Sequence, residues 1–333
     1  NQPTITEFAK VDLTGGQEIE GAKMQILDQD GKVVEEWVSK KEPHVVYALE
    51  PGEYVLHEEQ APTEQGYVRA EDVKFVVEET VDVQKVKMED DHTKVSISKT
   101  DITDGKEIEG AKLQILDQDG EVVESWTTGE EHLIEYLPVG TYTLHEEAAV
   151  DGYIVANDVE FTVEETGEIQ KVKMEDERAM GQLVIVKTDT DSKAALEGVE
   201  FVLLEKETGE EVGRLKTGKD GKAVSELLPI GTYENGVFKE PITYVLKETA
   251  TLKGYEKTEE EWEIVFTYQN DKTPVIEVVK EIQNKKIPET PGTVKPGPKT
   301  GDDTNWFLPL LALGVSAGMV AGLLYYRKRH KKA

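Results

Sequence analysis

The sequence predicts an all-β protein with three tandem β-sandwich domains, followed by a proline-rich linker and a C-terminal transmembrane helix. Three observations lead to this prediction. A long segment occurs twice almost unchanged, apolar and polar residues alternate with period two in short runs, and one long stretch near the C-terminus has no charge. Period two is the spacing of strands, and repeated segments indicate repeated domains.

The repeats define the predicted domains. GQEIEGAKMQILDQDGKVVEEW at residues 16–37 returns as GKEIEGAKLQILDQDGEVVESW at residues 105–126. A diverged third copy has LPIGTY at residues 228–233, which matches LPVGTY in the second copy, and it carries the insertion ENGVFKEPI at residues 234–242. The predicted segments are three repeat domains at 1–91, 92–178 and 179–287, a linker with a sorting motif at 288–300, and an anchoring tail at 301–333.

Short alternating runs predict the strands within each repeat. Examples are KVSISK at residues 94–99 and TYTLHE at residues 141–146. Asp-Gly or Asn-Gly pairs separate such runs, and these pairs favour two-residue hairpin turns in which both residues have positive φ. The pairs are Asp30-Gly31, Asp119-Gly120, Asp220-Gly221 and Asn235-Gly236. Each repeat is therefore predicted to be a small antiparallel sandwich.

Composition excludes several classes of function. Among 333 residues, 38 are Lys or Arg and 68 are Asp or Glu, so the formal net charge is −30 and nucleic acid is excluded as a partner. Cysteine is absent, which excludes disulfides, iron–sulfur clusters and thiolate zinc sites. Asp28-Gln29-Asp30-Gly31 lacks the remaining ligands of a calcium loop, and a hairpin is favoured there. No metal or cofactor site is predicted.

The C-terminus predicts export and a membrane anchor. Residues 306–326 carry no charge and are about 32 Å long as a helix, enough to span a bilayer. Basic residues follow at once, from Arg327 to Lys332, and positive flanks stay in the cytoplasm, so the rest of the chain is expected outside the cell. The preceding IPETPGTVKPGPKTG at residues 287–301 reads as an extended spacer.

Period two also places ionisable side chains on the apolar faces of predicted strands. In each repeat these are a lysine on the first strand, a glutamate in the middle and an Asp or Asn on the last strand. The three sets are Lys10, Glu58 and Asp90 in repeat 1, Lys99, Glu146 and Asp176 in repeat 2, and Lys187, Glu248 and Asn284 in repeat 3. One alternative for each residue is a solvated charge or a plain salt bridge at a strand end.

Buried ionised groups cost several kcal/mol each unless they pair, neutralise or react. Desolvation lowers the pKa of a buried lysine and raises that of a buried glutamate, so a neutral amine and a neutral acid can coexist. The amine is then a nucleophile toward the carbonyl of the Asp or Asn side chain, while the glutamate polarises that carbonyl and relays protons. The product would be an amide joining the first strand to the last.

These residues carry a resemblance to a known family. SKTD at residues 98–101 recurs as AKVD at 9–12 and VKTD at 186–189, and YTLHEEAAVDGY from Tyr142 has counterparts from Tyr54 and Tyr244. This pattern resembles the Cna B-type or SpaA-type prealbumin-like domains of Gram-positive surface adhesins and pilins, which implies a Greek-key, Ig-like sandwich. The resemblance implies isopeptide bonds Lys10–Asp90, Lys99–Asp176 and Lys187–Asn284, with Glu58, Glu146 and Glu248 as catalytic acids. Repeat 3 departs from the pattern at Thr251 and Leu252, where Ala-Pro is usual.

The tail resembles a sortase sorting signal. The usual LPxTG motif reads here as Gly297 followed by Pro298, Lys299, Thr300 and Gly301, so glycine replaces leucine. The resemblance implies sortase and peptidoglycan as partners, with Thr300 joined to the wall after cleavage. Without cleavage, the apolar span itself would hold the protein in the membrane.

These features predict a cell-surface stalk of an adhesin rather than an enzyme. One alternative is a pilin subunit, although no YPK-like tripeptide is present. The other is a module that binds a host or matrix ligand directly, for which the insertion at residues 234–242 is the candidate surface. Asn1 stands at the spacing of a cross-link acceptor before Lys10, so we expect a further repeat upstream and a ligand-binding head beyond it.

Overall fold

The alternating runs form strands throughout the three repeats. A computed structural model describes residues 3–288, and within them the only helical element is a short 3-10 turn, Thr63–Gln65. The predicted all-β fold with three tandem sandwich domains is confirmed. The described residues contain no helix with the length and apolar character needed to cross a membrane. The predictions for Asn1, the sorting motif and the span at residues 306–326 lie outside the described part of the chain.

Domain 1 consists of two four-stranded sheets packed face to face. One has the order β4-β1-β8-β6 and the other β3-β2-β5-β7. The inner faces meet in a core that includes Phe8, Ile26 and Leu56. The strands are β1 (Ile5–Asp12), β2 (Lys23–Leu27), β3 (Val33–Val38), β4 (His44–Tyr47), β5 (Gly52–Gln60), β6 (Tyr67–Val68), β7 (Val73–Val77) and β8 (Val83–His92).

Domain 2 repeats this arrangement strand for strand. Its sheets have the orders β12-β9-β16-β14 and β11-β10-β13-β15, and its core includes Ile97, Leu113 and Leu144. The strands are β9 (Lys94–Asp101), β10 (Lys112–Leu116), β11 (Val122–Thr127), β12 (His132–Glu135), β13 (Gly140–Ala148), β14 (Tyr153–Ile154), β15 (Val159–Val163) and β16 (Ile169–Arg178).

Domain 3 keeps the two sheets and adds a hairpin. One sheet is built on β17, which pairs with β20, β21 and β26, and the other has the order β19-β18-β24-β25. The insertion contributes to the separate hairpin β22-β23. The strands are β17 (Met180–Asp189), β18 (Glu200–Glu205), β19 (Glu211–Lys216), β20 (Lys222–Val224), β21 (Leu228–Pro229), β22 (Gly231–Glu234), β23 (Val237–Pro241), β24 (Thr243–Ala250), β25 (Glu261–Val265) and β26 (Val275–Asn284).

The turn prediction is correct at one of its four positions. Asn235 and Gly236 both have positive φ and form the two-residue turn between β22 and β23. At the three Asp-Gly pairs only the glycine has positive φ, so the predicted two-residue turn is wrong there. After β2 the loop has five residues, because the Asp28 carboxylate accepts hydrogen bonds from the backbone N–H groups of Asp30 and Lys32. An Asx-type turn of this kind replaces the tight hairpin.

The first and last strands of every domain are parallel neighbours, so the prediction of an antiparallel sandwich is wrong for this pair. β1 pairs with β8, β9 with β16 and β17 with β26. The register is the same in all three pairs, with Lys10 opposite Met88, Lys99 opposite Met174 and Lys187 opposite Ile282. Each domain therefore begins and ends on adjacent strands, and this pairing positions the candidate site.

Candidate functional site

The register of the terminal strands brings each lysine to its predicted acceptor. Asp90 lies two residues beyond Met88, the partner of Lys10, so the Lys10 and Asp90 side chains are diagonal neighbours on the inner face. The same diagonal relation holds for Lys99 with Asp176 and for Lys187 with Asn284. In each domain the lysine Nζ is in direct contact with the acceptor Oδ1, and both side chains are buried.

A β-bulge follows directly after the glutamate in each domain. Met24 pairs with Glu58 and the preceding Lys23 pairs with Gln60, so one residue of β5, Glu59, is left over. The corresponding bulges occur between Lys112 and Leu113 on β10 and between Glu200 and Phe201 on β18. Bulges bend a strand and redirect its side chains, and they are common beside reactive sites. Regular pairing up to Glu58 keeps its side chain on the same inner face as Leu56 and against the lysine, and the alternation is interrupted only after it.

In domains 1 and 2 the three side chains form nearly identical clusters. The Lys10 Nζ–Glu58 Oε2 distance is 3.0 Å, and the Lys99 Nζ–Glu146 Oε2 distance is also 3.0 Å. A backbone N–H holds each glutamate, from Ala70 at 2.7 Å in domain 1 and from Ala156 at 2.6 Å in domain 2.

Burial raises the pKa of Asp90 to about 7, the Lys10 charge opposes the rise, and the adjacent Glu58 carboxyl adds to it. Asp176 has the same environment, and the same causes raise its pKa to about 7. In each cluster the second Asp oxygen and one Glu oxygen lack any other hydrogen-bond donor in the described residues. A proton shared between the two carboxyls gives both of these oxygens a hydrogen-bond partner. It also makes the three side chains neutral in sum, because the positive lysine balances the one remaining negative charge.

Domain 3 has the same geometry with different chemistry. The Lys187 Nζ–Glu248 Oε2 distance is 3.1 Å. The side-chain amide of Asn284 donates a hydrogen bond from Nδ2 to Glu248 Oε1, at 2.6 Å. The Glu248 oxygen is therefore satisfied without a proton shared between two carboxyls. Burial lowers the pKa of Lys187, and the Glu248 carboxylate partly offsets this. Lys187 is therefore closer to the neutral amine form than an exposed lysine.

Each cluster has the parts of an amide-forming site. A buried amine, a side-chain carbonyl and a carboxyl that contacts the amine lie together, out of contact with water. A low-dielectric site favours neutral reactants and strengthens the polarisation of the carbonyl. The structure thus brings together all nine predicted residues, three per domain.

A second set of buried carboxylates was missed by sequence reasoning. Asp12, Asp101 and Asp189 each lie two residues after the lysine of the cluster and are almost completely buried. The Tyr153 hydroxyl donates to Asp101 Oδ2 at 2.8 Å. Hydrogen bonds from Ser192 lower the pKa of Asp189 to about 2, and the Tyr255 hydroxyl contributes to the same shift. The signal was available, because AKVD, SKTD and VKTD all end in this aspartate.

Domain 2 inserts a tyrosine into the end of domain 1. Tyr136, between β12 and β13, has φ of 61° and stacks on the His92 ring with 3.9 Å between ring centroids. Its hydroxyl donates to Asp12 Oδ2 at 2.7 Å. A Cβ on Gly66 would lie 2.3 Å from the carbonyl oxygen of Tyr136, so glycine is required for this approach. The junction therefore uses the buried Asp12 as its acceptor.

Domain 3 docks on domain 2 through its insertion hairpin. The Arg178 guanidinium lies 4.1 Å from the centre of the Tyr233 ring, and its Nε donates to Asp101 Oδ2 at 2.6 Å. The Tyr233 hydroxyl donates to the Gly152 carbonyl at 2.8 Å. The inner side of the hairpin is thus covered by domain 2. Within the insertion itself, Gly236 and Phe238 approach domain 2, whereas Glu234, Asn235 and residues 239–241 are exposed, so the prediction of a ligand surface on this insertion stays a prediction.

Tandem sandwiches with parallel terminal strands and a buried lysine cluster define a class of repeat domain. The family described as the SpaA prealbumin-like fold domain matches residues 4–92, 93–178 and 181–240, and the chain belongs to this family. The third match ends before β24, although the sandwich continues to Asn284. No curated protein sequence matches the chain.

Several solved structures are similar to the chain. The Bacillus anthracis TIE protein is 26% identical with a TM-score of 0.57, over 86% of this chain and 52% of that chain. BcpA, the major pilin subunit of Bacillus cereus, is 15% identical with a TM-score of 0.47, over 86% of this chain and 100% of that one. The major pilin SpaD from Corynebacterium diphtheriae is 16% identical with a TM-score of 0.38, over 86% and 98%. The chain spans about half the length of the TIE protein chain that it matches.

Proposed function

We propose that this chain is a cell-surface structural stalk whose three domains are each closed by an internal Lys–Asp or Lys–Asn isopeptide bond. The observation that carries the proposal is the recurrence of one buried cluster, with one register, on the terminal strands of all three domains. A plain salt bridge at a strand end does not have to be buried, and it does not need a second carboxyl or amide in contact with the lysine. The family membership supports the same function.

In the proposed reaction the lysine first loses a proton to the neighbouring glutamate, which leaves a neutral amine in contact with the acceptor. Nζ attacks the acceptor Cγ and forms the C–N bond, while the proton on the glutamate passes to the leaving group. The leaving group is water from Asp90 and Asp176 and ammonia from Asn284. The Cγ–O bond of the aspartate or the Cγ–Nδ2 bond of the asparagine breaks, and the second Nζ proton passes to the glutamate, which ends in the protonated form. Each cluster therefore reacts once and needs no external co-reactant.

The position of each bond explains the mechanical value of the design. Tension on domain 1 enters along β1 and leaves along β8, and the bond joins Lys10 to Asp90 close to where each strand ends. The load then crosses from β1 to β8 through a covalent bond, and the residues between them carry little of it. In domain 2, Lys99 and Asp176 are 77 residues apart, so loop closure alone suggests roughly 4.5 kcal/mol of stabilisation by analogy with disulfides.

The intact mass of the full chain tests the bonds directly. Each Asp-type bond removes about 18 Da and the Asn-type bond about 17 Da, so three bonds lower the mass by about 53 Da. Digestion then assigns each loss to a cross-linked peptide. A mass equal to that of the sequence would refute the proposal for all three domains.

The proposed anchor is the sorting motif at residues 298–301, with sortase and peptidoglycan as partners and the apolar span as the membrane-bound form. Gly297→Leu should increase the wall-linked fraction, because it restores the leucine of the usual motif. Thr300→Ala is the matched control and should abolish wall linkage. An unchanged ratio of wall-linked to membrane-bound protein in Gly297→Leu would argue against recognition through this motif.

A direct ligand-binding module remains the second candidate, since the chain spans only part of its structural relative. Immobilised host matrix proteins distinguish the two. If the protein is a stalk, the full chain shows no saturable binding to these matrix proteins. If it is a binding module, the full chain binds at least one of them saturably.

A further inference from the structure

The acceptor amide of domain 3 makes a contact that domains 1 and 2 lack. Asn284 Nδ2 donates to Thr251 Oγ1 at 2.7 Å, in addition to Glu248 Oε1 at 2.6 Å. The Asn284 side chain is buried, so both amide hydrogens are satisfied by these two oxygens. Thr251 lies three residues after Glu248, in the segment that follows β24.

These two acceptors decide which way the amide faces. Lys187 Nζ contacts Asn284 Oδ1. Rotation of the amide by 180° would turn Nδ2 toward Lys187, and two hydrogen-bond donors would then face each other in a buried site. Thr251 and Glu248 together therefore keep the carbonyl oxygen toward the amine and the leaving nitrogen away from it.

The other two domains provide an internal comparison. The residue three positions after the glutamate is Ala61 in domain 1 and Ala149 in domain 2, and the acceptors there are aspartates. Asp90 Oδ2 and Asp176 Oδ2 have no donor in the described residues, and a carboxyl has no distinct leaving nitrogen to orient. The hydroxyl occurs only in the domain whose acceptor is an amide.

We propose that Thr251 positions the leaving nitrogen of Asn284 for amide exchange, an inference that rests on the proposed isopeptide bond. Lys187 Nζ attacks Asn284 Cγ, the new C–N bond forms, and the Cγ–Nδ2 bond breaks. One Nζ proton passes through Glu248 to Nδ2, which leaves as ammonia, so a primary amide and an amine become a secondary amide and ammonia. Thr251 Oγ1 holds one Nδ2 hydrogen while Glu248 delivers the proton.

The first experiment compares Thr251→Ala with Thr251→Ser in the full chain. Chains are labelled in a short translation pulse and quenched in denaturant at timed intervals, and the Lys187–Asn284 cross-linked peptide is quantified by mass. Thr251→Ala should slow domain 3 closure by about tenfold or more, because one hydrogen bond to the reacting amide is lost. Thr251→Ser keeps the hydroxyl and should close within a few-fold of the wild-type rate.

A double substitution separates positioning from folding. Thr251→Ala combined with Asn284→Asp recreates the alanine and aspartate of domains 1 and 2, so closure should recover with a loss of about 18 Da. The reciprocal change in domain 2 is the matched control. Asp176→Asn alone should close slowly, and Asp176→Asn with Ala149→Thr should close at least about tenfold faster.

Each result is decisive. Wild-type-like closure in Thr251→Ala, or a double variant that stays as slow as Thr251→Ala, would overturn the positioning role. Failure of the proposed bond itself is a different result, because wild-type domain 3 would then keep its full mass at all times. Bonds in domains 1 and 2 would be unaffected by either outcome.

Discussion

Domains 1 and 2 differ from domain 3 in how they keep the same buried cluster neutral. The first two use an Asp and a Glu that share a proton, and burial raises the pKa of Asp90 and Asp176 to about 7. Domain 3 uses an amide that brings its own hydrogens, with a threonine to receive one of them. One backbone geometry thus accommodates either a carboxyl or an amide opposite the lysine, provided that the surrounding hydrogen-bond donors and acceptors change with it.

The largest expected effect is the loss of one bond when its glutamate is replaced. Glu146→Gln keeps the size of the side chain but cannot take and return a proton, so domain 2 should remain open. The lost bond adds about 18 Da and the substitution itself removes about 1 Da, so the intact mass should be about 17 Da higher than that of the wild type, and the Lys99–Asp176 peptide should be absent.

Glu147→Gln is the matched control, because this neighbouring glutamate is exposed at the bulge. Glu147→Gln should still form the domain 2 bond and show the loss of about 18 Da that accompanies it. A Glu146→Gln protein that still forms the domain 2 bond would contradict the proton-relay role.

The pH dependence of closure should separate the two kinds of domain. Asp90 and Asp176 lose the shared proton as the pH rises through about 7, and a carboxylate is a poor electrophile, so closure of domains 1 and 2 should slow by about tenfold per pH unit above that value. The Asn284 amide does not titrate, and the lowered pKa of Lys187 means that the neutral amine increases with pH. Closure of domain 3 should therefore become faster as the pH rises.

Pulse-labelled chains transferred to buffers between pH 5 and 9 provide the measurement, with each cross-linked peptide quantified separately. Domain 1 serves as the control for domain 2, since both should show the same profile. Parallel profiles in all three domains would contradict the assigned difference in chemistry.

The smallest expected effect concerns the buried aspartates next to the clusters. Tyr153 is fully buried and donates to Asp101, so Tyr153→Phe should lower the free energy of unfolding by about 1.5–3 kcal/mol. Tyr255 is only half-buried beside Asp189, so Tyr255→Phe should cost less. Thermal unfolding of the full chain compares the two variants.

Tyr47→Phe is the control, because 67% of Tyr47 is exposed. Equal losses for Tyr153→Phe and Tyr255→Phe would show that the greater burial of Tyr153 adds nothing to the strength of its hydrogen bond.

The sequence by itself determined the strand periodicity, the three repeats and the nine cluster residues. Period two assigns each residue to one face of its strand, so a lysine that recurs on the apolar face of three strands can be detected from the sequence alone. Such local patterns require no knowledge of neighbouring strands. The repeated aspartate after each lysine was equally visible, but its role depended on a partner from a distant part of the chain.

Only the tertiary structure decided the contacts that cross between strands and domains. The contact of each lysine with its Asp or Asn, the hydrogen bond from the Asn284 amide to Thr251 and the tyrosines of the junctions all depend on register and on the fit of separate segments. The Asp-Gly turns depended on a side chain two residues earlier, not on the dipeptide alone. Alternation specifies which side of a sheet a residue occupies, whereas the residue it meets there is set by packing between surfaces far apart in sequence.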